Sequence, residues 1–277
     1  PDAAAAMVDP ANSETFVTWE DTDGMPDDLA WADWMLFLHP EQKDIARRDF
    51  NGPARLRGVS GSGKTTVMVH RARYLAKKYR QPVLLVTLTE SARRLLHLLV
   101  RHLCGAEAAH IETTTVNALA TNAISALDAR GLSSYLQANE KQMAFARSEA
   151  FKAVRGHPAL QQSVLAKIPG SSFEAFIVDE IDYIRMRLLP HEYDKYMTLP
   201  RHGRGIPLPE RARVIMLSAA NAWDAALRHY GAKDYDGVVQ HALSLMESTV
   251  ENARNTFCYR CVLIDEVQDL SQLEMRL

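Results

Sequence analysis

The first part of the chain alternates between patterns typical of buried strands and patterns typical of helices. Val83–Thr87 is an unbroken run of strand-forming residues, which predicts a strand covered on both faces. Ala54–Val59, which runs into a glycine-rich loop, and Ile111–Val116 predict two more strands. Apolar residues at helical spacing over Val67–Tyr79 and Ser91–Leu103 predict helices between them. This order predicts an α/β fold with a parallel sheet and helices on both faces.

The pattern from about Asn117 to Asn255 is almost entirely helical, with breaks at glycines and prolines. Cys261–Glu266 then returns to an apolar strand that ends in acids. We therefore predict a large all-helical insertion within the α/β domain. The predicted segments are an N-terminal extension or linker at 1–33, the first part of the α/β domain at 34–118, the helical insertion at 119–255 and the second part of the α/β domain at 256–277.

Composition and charge narrow the classes of function. The formal net charge is −2, so the chain lacks the global basic footprint of a nucleic-acid coat protein, although a local basic track remains compatible with this charge. Three cysteines cannot staple a fold of 277 residues and indicate a reducing compartment, for which we expect the cytoplasm. Cys258 and Cys261 lack a second pair for a zinc or iron–sulfur site, so we expect buried structural thiols.

The ends of the sequence and its apolar runs carry two further expectations. The chain begins Pro1-Asp2 without an initiator methionine or a basic signal region, and we expect both ends to be cut edges of a longer chain. No apolar run reaches the length of a membrane span, so the sequence predicts no membrane partner.

The segment Gly58–Thr65 fits the pattern G-x-x-x-x-G-K-[ST] in full, between a predicted strand and a predicted helix. Its glycines let backbone N–H groups turn toward phosphate oxygens, and the helix N-terminus adds a positive dipole end. Lys64 supplies a charge to the β- and γ-phosphates, and the Thr65 hydroxyl can ligate Mg²⁺. The residues expected to bind the nucleotide in this segment are Gly58, Ser60, Gly61, Ser62, Gly63, Lys64, Thr65 and Thr66.

A phosphate loop also needs an acid at the end of a neighbouring strand, and two segments offer one. In Phe176–Glu180 the apolar residues fall at helical spacing, and Ser171-Ser172 followed by Glu174 resembles a helix cap. We therefore interpret Asp179 and Glu180 as charges on a helix surface.

The second acidic segment, Val262–Glu266, is a bounded apolar strand that ends in two acids. Asp265 is placed to bind Mg²⁺ together with Thr65, and Glu266 to position and deprotonate the attacking water. We assign Glu266, Lys64 and Gln268 to the catalytic set.

Val262–Leu270 resembles the second motif of the UvrD/Rep-like superfamily 1 helicases, in which D-E-x-Q-D is characteristic. Leu38–Gln42 resembles the Q motif of that family, which implies that Gln42 hydrogen-bonds the adenine edge. The spacing of about 200 residues between Lys64 and Asp265 makes the match specific, since unrelated phosphate-loop proteins carry the acidic strand at other distances.

Further segments resemble the parts of this family that contact DNA. Thr87–Ala92 resembles motif Ia and Thr115–Leu119 resembles the next motif, T-F-H-S-L; both line the single-stranded DNA track in the family. Arg201–Gly205 and Asp234–Asp236 resemble the R-x-G-R-G and D-[FY]-D-D patterns of the inserted subdomain 1B. The arginines of this loop are equally compatible with contact to a DNA backbone and with a solvated face. The candidate DNA contacts are Thr87, Thr89, Thr115, Asn117, Arg201 and Arg204.

Three positions depart from the family pattern. Thr66 stands where the family commonly has an arginine against the adenine ring. Glu90-Ser91 replaces Asn-Lys in motif Ia, which removes a cation from the expected DNA path, and Asn117 replaces the usual histidine. These departures bear on base selectivity and DNA contact rather than on ATP binding.

The resemblance implies a RecA-like P-loop NTPase fold, with ATP and Mg²⁺ as cofactors. It implies 3′–5′ movement on single-stranded DNA and duplex unwinding, with a second RecA-like domain of the same chain as partner. That domain lends arginines to the γ-phosphate, so we expect this piece alone to bind nucleotide, hydrolyse it poorly and not unwind. The alternative is an ATPase switch that signals nucleotide state to a partner without moving on DNA, and a third option is an RNA-directed motor.

Overall fold

The computed structural model describes residues 37–128, 136–201 and 203–277. The predicted extension at 1–33 and the first three residues of the segment at 34–118 lie outside these ranges. The chain divides into two compact units: a sheet unit of residues up to Thr114 with Tyr259–Asp265, and a helical unit of Thr115–Cys258 with Glu266–Leu277. The segment 266–277, which the sequence assigns to the α/β domain, thus groups with the helical unit.

The described chain alternates between helices and strands in its first part, is mostly helical in the middle and returns to a strand near its end. In chain order they are α1 (Pro40–Arg47), α2 (Lys64–Tyr79), β1 (Val83–Thr87), α3 (Glu90–Cys104), β2 (Ile111–Thr115), α4 (Val116–Leu127), β3 (Leu136–Gln137), α5 (Glu140–Arg155), α6 (Gly170–Arg185), α7 (Glu210–His229), β4 (Ala232–Lys233), α8 (Tyr235–Ser248), α9 (Val250–Thr256) and β5 (Cys261–Ile264). Short 3₁₀ helices occupy Gly105–His110, Leu160–Gln162, Val164–Lys167, Pro190–Met197 and Val267–Asp269.

The sheet unit is built on a parallel three-stranded sheet in the order β2-β1-β5. Every residue of β1 is buried, as the unbroken apolar run predicts for a central strand. β1 and β5 pair in register from Val83 opposite Cys261 to Val86 opposite Ile264. Helices α2 and α3 pack against this sheet through apolar residues at helical spacing. These include Val69, Ala72, Leu75, Ala76, Leu96, Leu99 and Val100. The α/β class and the parallel sheet are therefore confirmed.

The strand expected at Ala54–Val59 does not form, and this prediction was wrong. Residues 54–59 are all exposed and carry no strand. A strand persists only where a neighbour exchanges backbone hydrogen bonds with it, and no described segment pairs with these residues. β5 is the sheet edge in the described chain, and its Val262 is 50% exposed.

The helical unit contains the predicted helical insertion. Helix α5 packs along α7, α6 packs against α7, and α4 packs against α8. The larger core includes Phe151, Ile177, Ile181, Ile184, Ile215, Met216 and Trp223. Within the described chain the short strands β3 and β4, which pair in parallel, are the exceptions to the helical pattern.

A fully buried arginine ties three elements of the helical unit together. Arg185, at the end of α6, donates from Nε to Asp224 of α7 at 2.9 Å. Its Nη1 and Nη2 donate to Asp234, at the start of α8, at 2.7 and 2.6 Å. The indole N–H of Trp223 donates to the same Asp234 carboxylate at 3.0 Å. These contacts give each of the three Arg185 side-chain nitrogens a carboxylate acceptor, and such pairing is the condition under which a buried charge is tolerated.

Asp236 adds a further acid to this cluster, with Oδ2 at 3.6 Å from Arg185 Nη1. Burial raises the pKa of Asp236 to about 7; Arg185 opposes the rise, while Asp234, Asp182 and Glu274 add to it. Because the folded-state pKa exceeds the unfolded value, stability from this group is present at acid pH and is lost as pH rises toward the folded value.

We expect Asp236→Asn to remove this pH dependence, since the amide has a similar shape and no charge. The variant should gain roughly 2–3 kcal/mol relative to the wild type between pH 5 and pH 8. Denaturant unfolding of both proteins at several pH values measures the difference. A difference that stays constant with pH would contradict the expectation.

Helix α6 confirms that Phe176–Glu180 is helical, but two details differ from the prediction. The helix begins at Gly170 after Pro169, without a side-chain cap, so the cap expected at Ser171-Ser172 is wrong. Asp179 is a surface charge, whereas Glu180 is fully buried. Because Glu180 lies one residue farther along the helix, its side chain points toward the core, where Tyr196 and Arg201 donate hydrogen bonds to it.

Candidate nucleotide-binding site

The glycine-rich loop adopts the backbone that its sequence requires. Gly61 and Gly63 have φ of 78° and 75°, values that glycine adopts without steric cost. Gly63 is also the N-cap of α2, so the loop leads directly into the N-terminal end of a sixteen-residue helix. This places the backbone N–H groups of the loop and the positive end of the helix dipole at one point, the arrangement that binds phosphate.

The side chain of Lys64 lies along this loop. Its Nζ donates to the carbonyl of Val59 at 2.9 Å and to that of Gly58 at 3.2 Å. A Cβ at Gly58 would stand 2.6 Å from Ser62 Oγ, so a larger residue there would require the serine hydroxyl to shift. The lysine charge is therefore held beside the same loop that offers the backbone donors.

Gln42 connects helix α1 to the loop. Its Nε2 donates to the carbonyl of Ser62 at 3.0 Å, and its Oε1 accepts from the backbone N–H of His39 at 3.0 Å. A Cβ at Gly63 would lie 3.3 Å from Gln42 Nε2. Both ends of the amide thus have a protein partner, which fixes the orientation of Gln42 beside the loop.

Thr65 and Asp265 meet although 200 residues separate them in the sequence. The Thr65 hydroxyl donates to Asp265 Oδ2 at 3.0 Å. Asp265 follows β5, and its backbone N–H donates to the carbonyl of Val86 in β1 at 2.9 Å. The sheet therefore carries the aspartate to the first turn of α2.

The oxygen pair of Thr65 and Asp265 fits Mg²⁺, a hard cation that prefers oxygen ligands. The described residues contain no group of three or more His, Cys, Asp or Glu side chains that could hold a metal. Mg²⁺ commonly takes one or two protein ligands and completes its shell with phosphate oxygens and water. The two oxygens therefore suit a metal that is shared with a nucleotide rather than one held by protein alone.

Glu266 begins a short turn with an unusual backbone. Its φ is 49°, a left-handed conformation that is uncommon outside glycine. The N–H of Asp269 donates to the carbonyl of Glu266 at 2.9 Å, and the side-chain amide of Gln268 donates to the Glu266 carboxylate. The two predicted catalytic residues of this segment are thus in direct contact.

Two of the four candidate DNA contacts near the sheet cap helices. Thr89 and Thr115 each accept, through Oγ1, from the backbone N–H three residues on, at 3.2 and 3.1 Å. They are the N-caps of α3 and α4. Thr87 is buried and Asn117 is half-buried. The helix caps account for both threonines without DNA, and DNA contact at all four positions stays a prediction.

Arg201 and Arg204 lie against acids of α6. Arg201 donates to both oxygens of Glu180, from Nε at 2.9 Å and from Nη2 at 2.6 Å, and 5% of its side chain is exposed. Arg204 donates to Asp179 and, at 3.1 Å, to Glu180. Tyr196 donates its hydroxyl to Glu180 at 2.5 Å. The interpretation of Arg201 as part of a solvated face is therefore wrong. The sequence analysis did not identify Glu180 as the buried partner of Arg201.

The cysteines also differ from expectation. Cys258 is exposed and Cys261 is half-buried, whereas Cys104 is the buried thiol. The prediction that Cys258 and Cys261 are buried structural thiols was therefore wrong. Across the described residues no helix combines the length and the apolar character that a bilayer crossing requires.

Comparison with known families and proteins adds two findings. Residues 38–277 match the family model described as the UvrD/REP helicase N-terminal domain. A comparison with curated proteins gives no match. The matched span includes the glycine-rich loop, the Thr65–Asp265 contact and the whole helical unit.

Proposed function

The chain belongs to the UvrD/REP helicase N-terminal domain family, and from this membership we propose that it is the ATP-binding portion of a DNA motor. The family is one of superfamily 1 helicase ATPases. We propose that the complete protein couples ATP hydrolysis to 3′–5′ movement on single-stranded DNA and to duplex unwinding.

The Thr65–Asp265 contact carries the proposal. A glycine-rich turn alone could match the sequence pattern by chance, but the pattern does not by itself bring a strand-end aspartate to the residue after the lysine. The 3.0 Å hydrogen bond between the two side chains supplies that second element. Together they form the phosphate-and-metal half of a nucleotide site.

We assign the following roles to residues of this chain. The N–H groups of the loop and Lys64 bind the phosphates, and Gln42, fixed beside Ser62, faces the base. Thr65 and Asp265 would hold Mg²⁺, which supplies charge neutralisation at the β- and γ-phosphate oxygens when bound. Glu266, with Gln268 on its carboxylate, orients the water and accepts its proton.

A second RecA-like domain of the same protein is the proposed partner. Cations that approach the γ-phosphate from a separate domain can raise phosphoryl-transfer rates by about 10³–10⁵. This supports the expectation that the present segment binds nucleotide but hydrolyses it slowly, and that it does not unwind by itself.

The test is the response of ATP hydrolysis to nucleic acid in the full-length protein. We expect single-stranded DNA to raise the steady-state rate severalfold and to lose affinity steeply as salt increases, because phosphate contacts release counterions. Titrations with single-stranded DNA, duplex DNA and single-stranded RNA at several salt concentrations measure this.

Each outcome of these titrations decides between functions. A larger response to RNA than to DNA would show that the protein moves on RNA rather than on DNA. An ATPase rate that does not respond to any nucleic acid, combined with nucleotide-dependent binding to a protein partner, would support the ATPase switch instead of the motor.

A further inference from the structure

The helical unit contains an open groove of about 530 Å³ beside the end of α6 and the loop that follows Pro200. It is lined by apolar residues, by the arginines of the R-x-G-R-G segment, by Asp179 and by Arg187. The resemblance to the helicase family pointed to Arg201 and Arg204 as candidate DNA contacts, but not to Arg187.

The centre of the groove is an aromatic ring between two guanidinium groups. The central carbon of Arg187 lies 3.8 Å from the centroid of Tyr183, and that of Arg204 lies 4.3 Å from it. The Tyr183 hydroxyl donates to the carbonyl of Pro200 at 2.5 Å. The ring is therefore fixed, and stacking on it restrains both arginines.

The two arginines differ in how their charge is balanced. Arg204 is paired with Asp179 and Glu180, and Arg201 with Glu180. Arg187 has no ion pair in the described chain, and its hydrogen bond is a 3.4 Å donation to the backbone carbonyl of Tyr183. A guanidinium has five N–H donors, so most of those on Arg187 remain available to a ligand.

The loop glycines leave the backbone beside these charges uncovered. Gly203 has φ of 78° and needs glycine for its turn. Gly205 lies outside the left-handed region, and a Cβ there would meet no atom of the described residues within 4 Å. Packing among the described residues therefore does not explain glycine at 205, whereas close approach of a ligand to bare backbone would explain it.

We propose that this groove binds a phosphodiester of the DNA strand, with Arg187 as the contacting residue. The planar guanidinium and its free donors match phosphate oxygens. Among the described residues, Arg201 and Arg204 are paired with Asp179 and Glu180, whereas Arg187 has no ion pair; Asp179, whose side chain is 66% exposed, repels a free anion at the rim of the groove. One cation holds a single phosphate weakly, so the ligand is a polyanion held at several points. This inference rests on the proposed function.

The test compares Arg187→Gln with a matched variant in the full-length protein. Arg211 is exposed, lies in the helical unit and bonds a neutral side chain, Gln162, at 3.2 Å. Affinity for single-stranded DNA is measured by fluorescence anisotropy from low to high salt. We expect Arg187→Gln to weaken binding by about three- to tenfold and to reduce the salt slope by about one. Arg211→Gln should behave as the wild type.

A third variant separates charge from packing. Arg187→Lys keeps the charge, so we expect it to keep most of the salt slope, even if it loses the stacking on Tyr183. Thermal unfolding of each variant checks that the unit remains folded. An Arg187→Gln protein that binds like Arg211→Gln, or an unchanged salt slope in a weakened variant, would overturn the site while leaving the motor assignment intact. A wild-type protein that binds no DNA would remove both.

Discussion

Replacing Glu266 with glutamine is expected to slow ATP hydrolysis by about 10²- to 10⁴-fold while leaving ATP binding nearly unchanged. The amide has almost the same shape but cannot accept a proton from water. In the structure the Glu266 carboxylate accepts a hydrogen bond from Gln268. The substitution therefore removes the acceptor without removing any group that binds phosphate.

A neighbouring acidic residue provides the control for the hydrolysis measurement. Asp269 is an exposed acid in the same turn, so Asp269→Asn changes the charge of the segment equally. Steady-state hydrolysis in the full-length protein and binding of a fluorescent ATP analogue are measured for both variants. If Glu266→Gln hydrolyses ATP as fast as Asp269→Asn, Glu266 is not the general base.

Replacing Lys64 with alanine is expected to weaken ATP binding by about 10- to 100-fold, because a charged hydrogen bond to phosphate is worth roughly 1.5–3 kcal/mol. Hydrolysis should fall to background. The fold should persist, since the Lys64 Nζ atom donates only to the loop carbonyls of Gly58 and Val59 in the described contacts.

Lys77 provides the comparison for charge alone. It lies in the last turn of the same helix and is exposed, so Lys77→Ala removes one positive charge far from the loop. Calorimetric titration with ATP and with adenosine separates loss of phosphate contacts from loss of the base site. Undiminished ATP affinity in Lys64→Ala would show that the phosphates bind elsewhere.

The elements that the sequence predicted best are those whose pattern depends on local residues alone. The buried run at Val83–Thr87 and the amphipathic helix after Lys64 need no information from distant segments. The approach of Asp265 to Thr65 followed from the requirement that a phosphate loop be faced by an acid at the end of a neighbouring strand. These features agree because local pattern and global fold point the same way.

The failures concern partners that lie far away in the sequence. Ala54–Val59 has a reasonable strand pattern, but pairing depends on which segment reaches it. Glu180 looks like a solvated charge by spacing, and its burial depends on Tyr196 and Arg201, which lie 16 and 21 residues later in the sequence. Apolar periodicity does not encode such pairings, since a charged residue can face the core once its charge is met.

The hydrogen bond between Thr65 and Asp265 has a consequence for the order of binding. The two oxygens proposed to bind Mg²⁺ are already hydrogen-bonded to each other, so a free ion must break this bond to bind. It must also give up water ligands, and the protein would supply only two of its roughly six coordination positions. An ion that arrives already chelated by a triphosphate gives up less of its hydration and brings anionic oxygens to the loop. Free Mg²⁺ should thus be a poor ligand, and the metal and the nucleotide should enter as one complex.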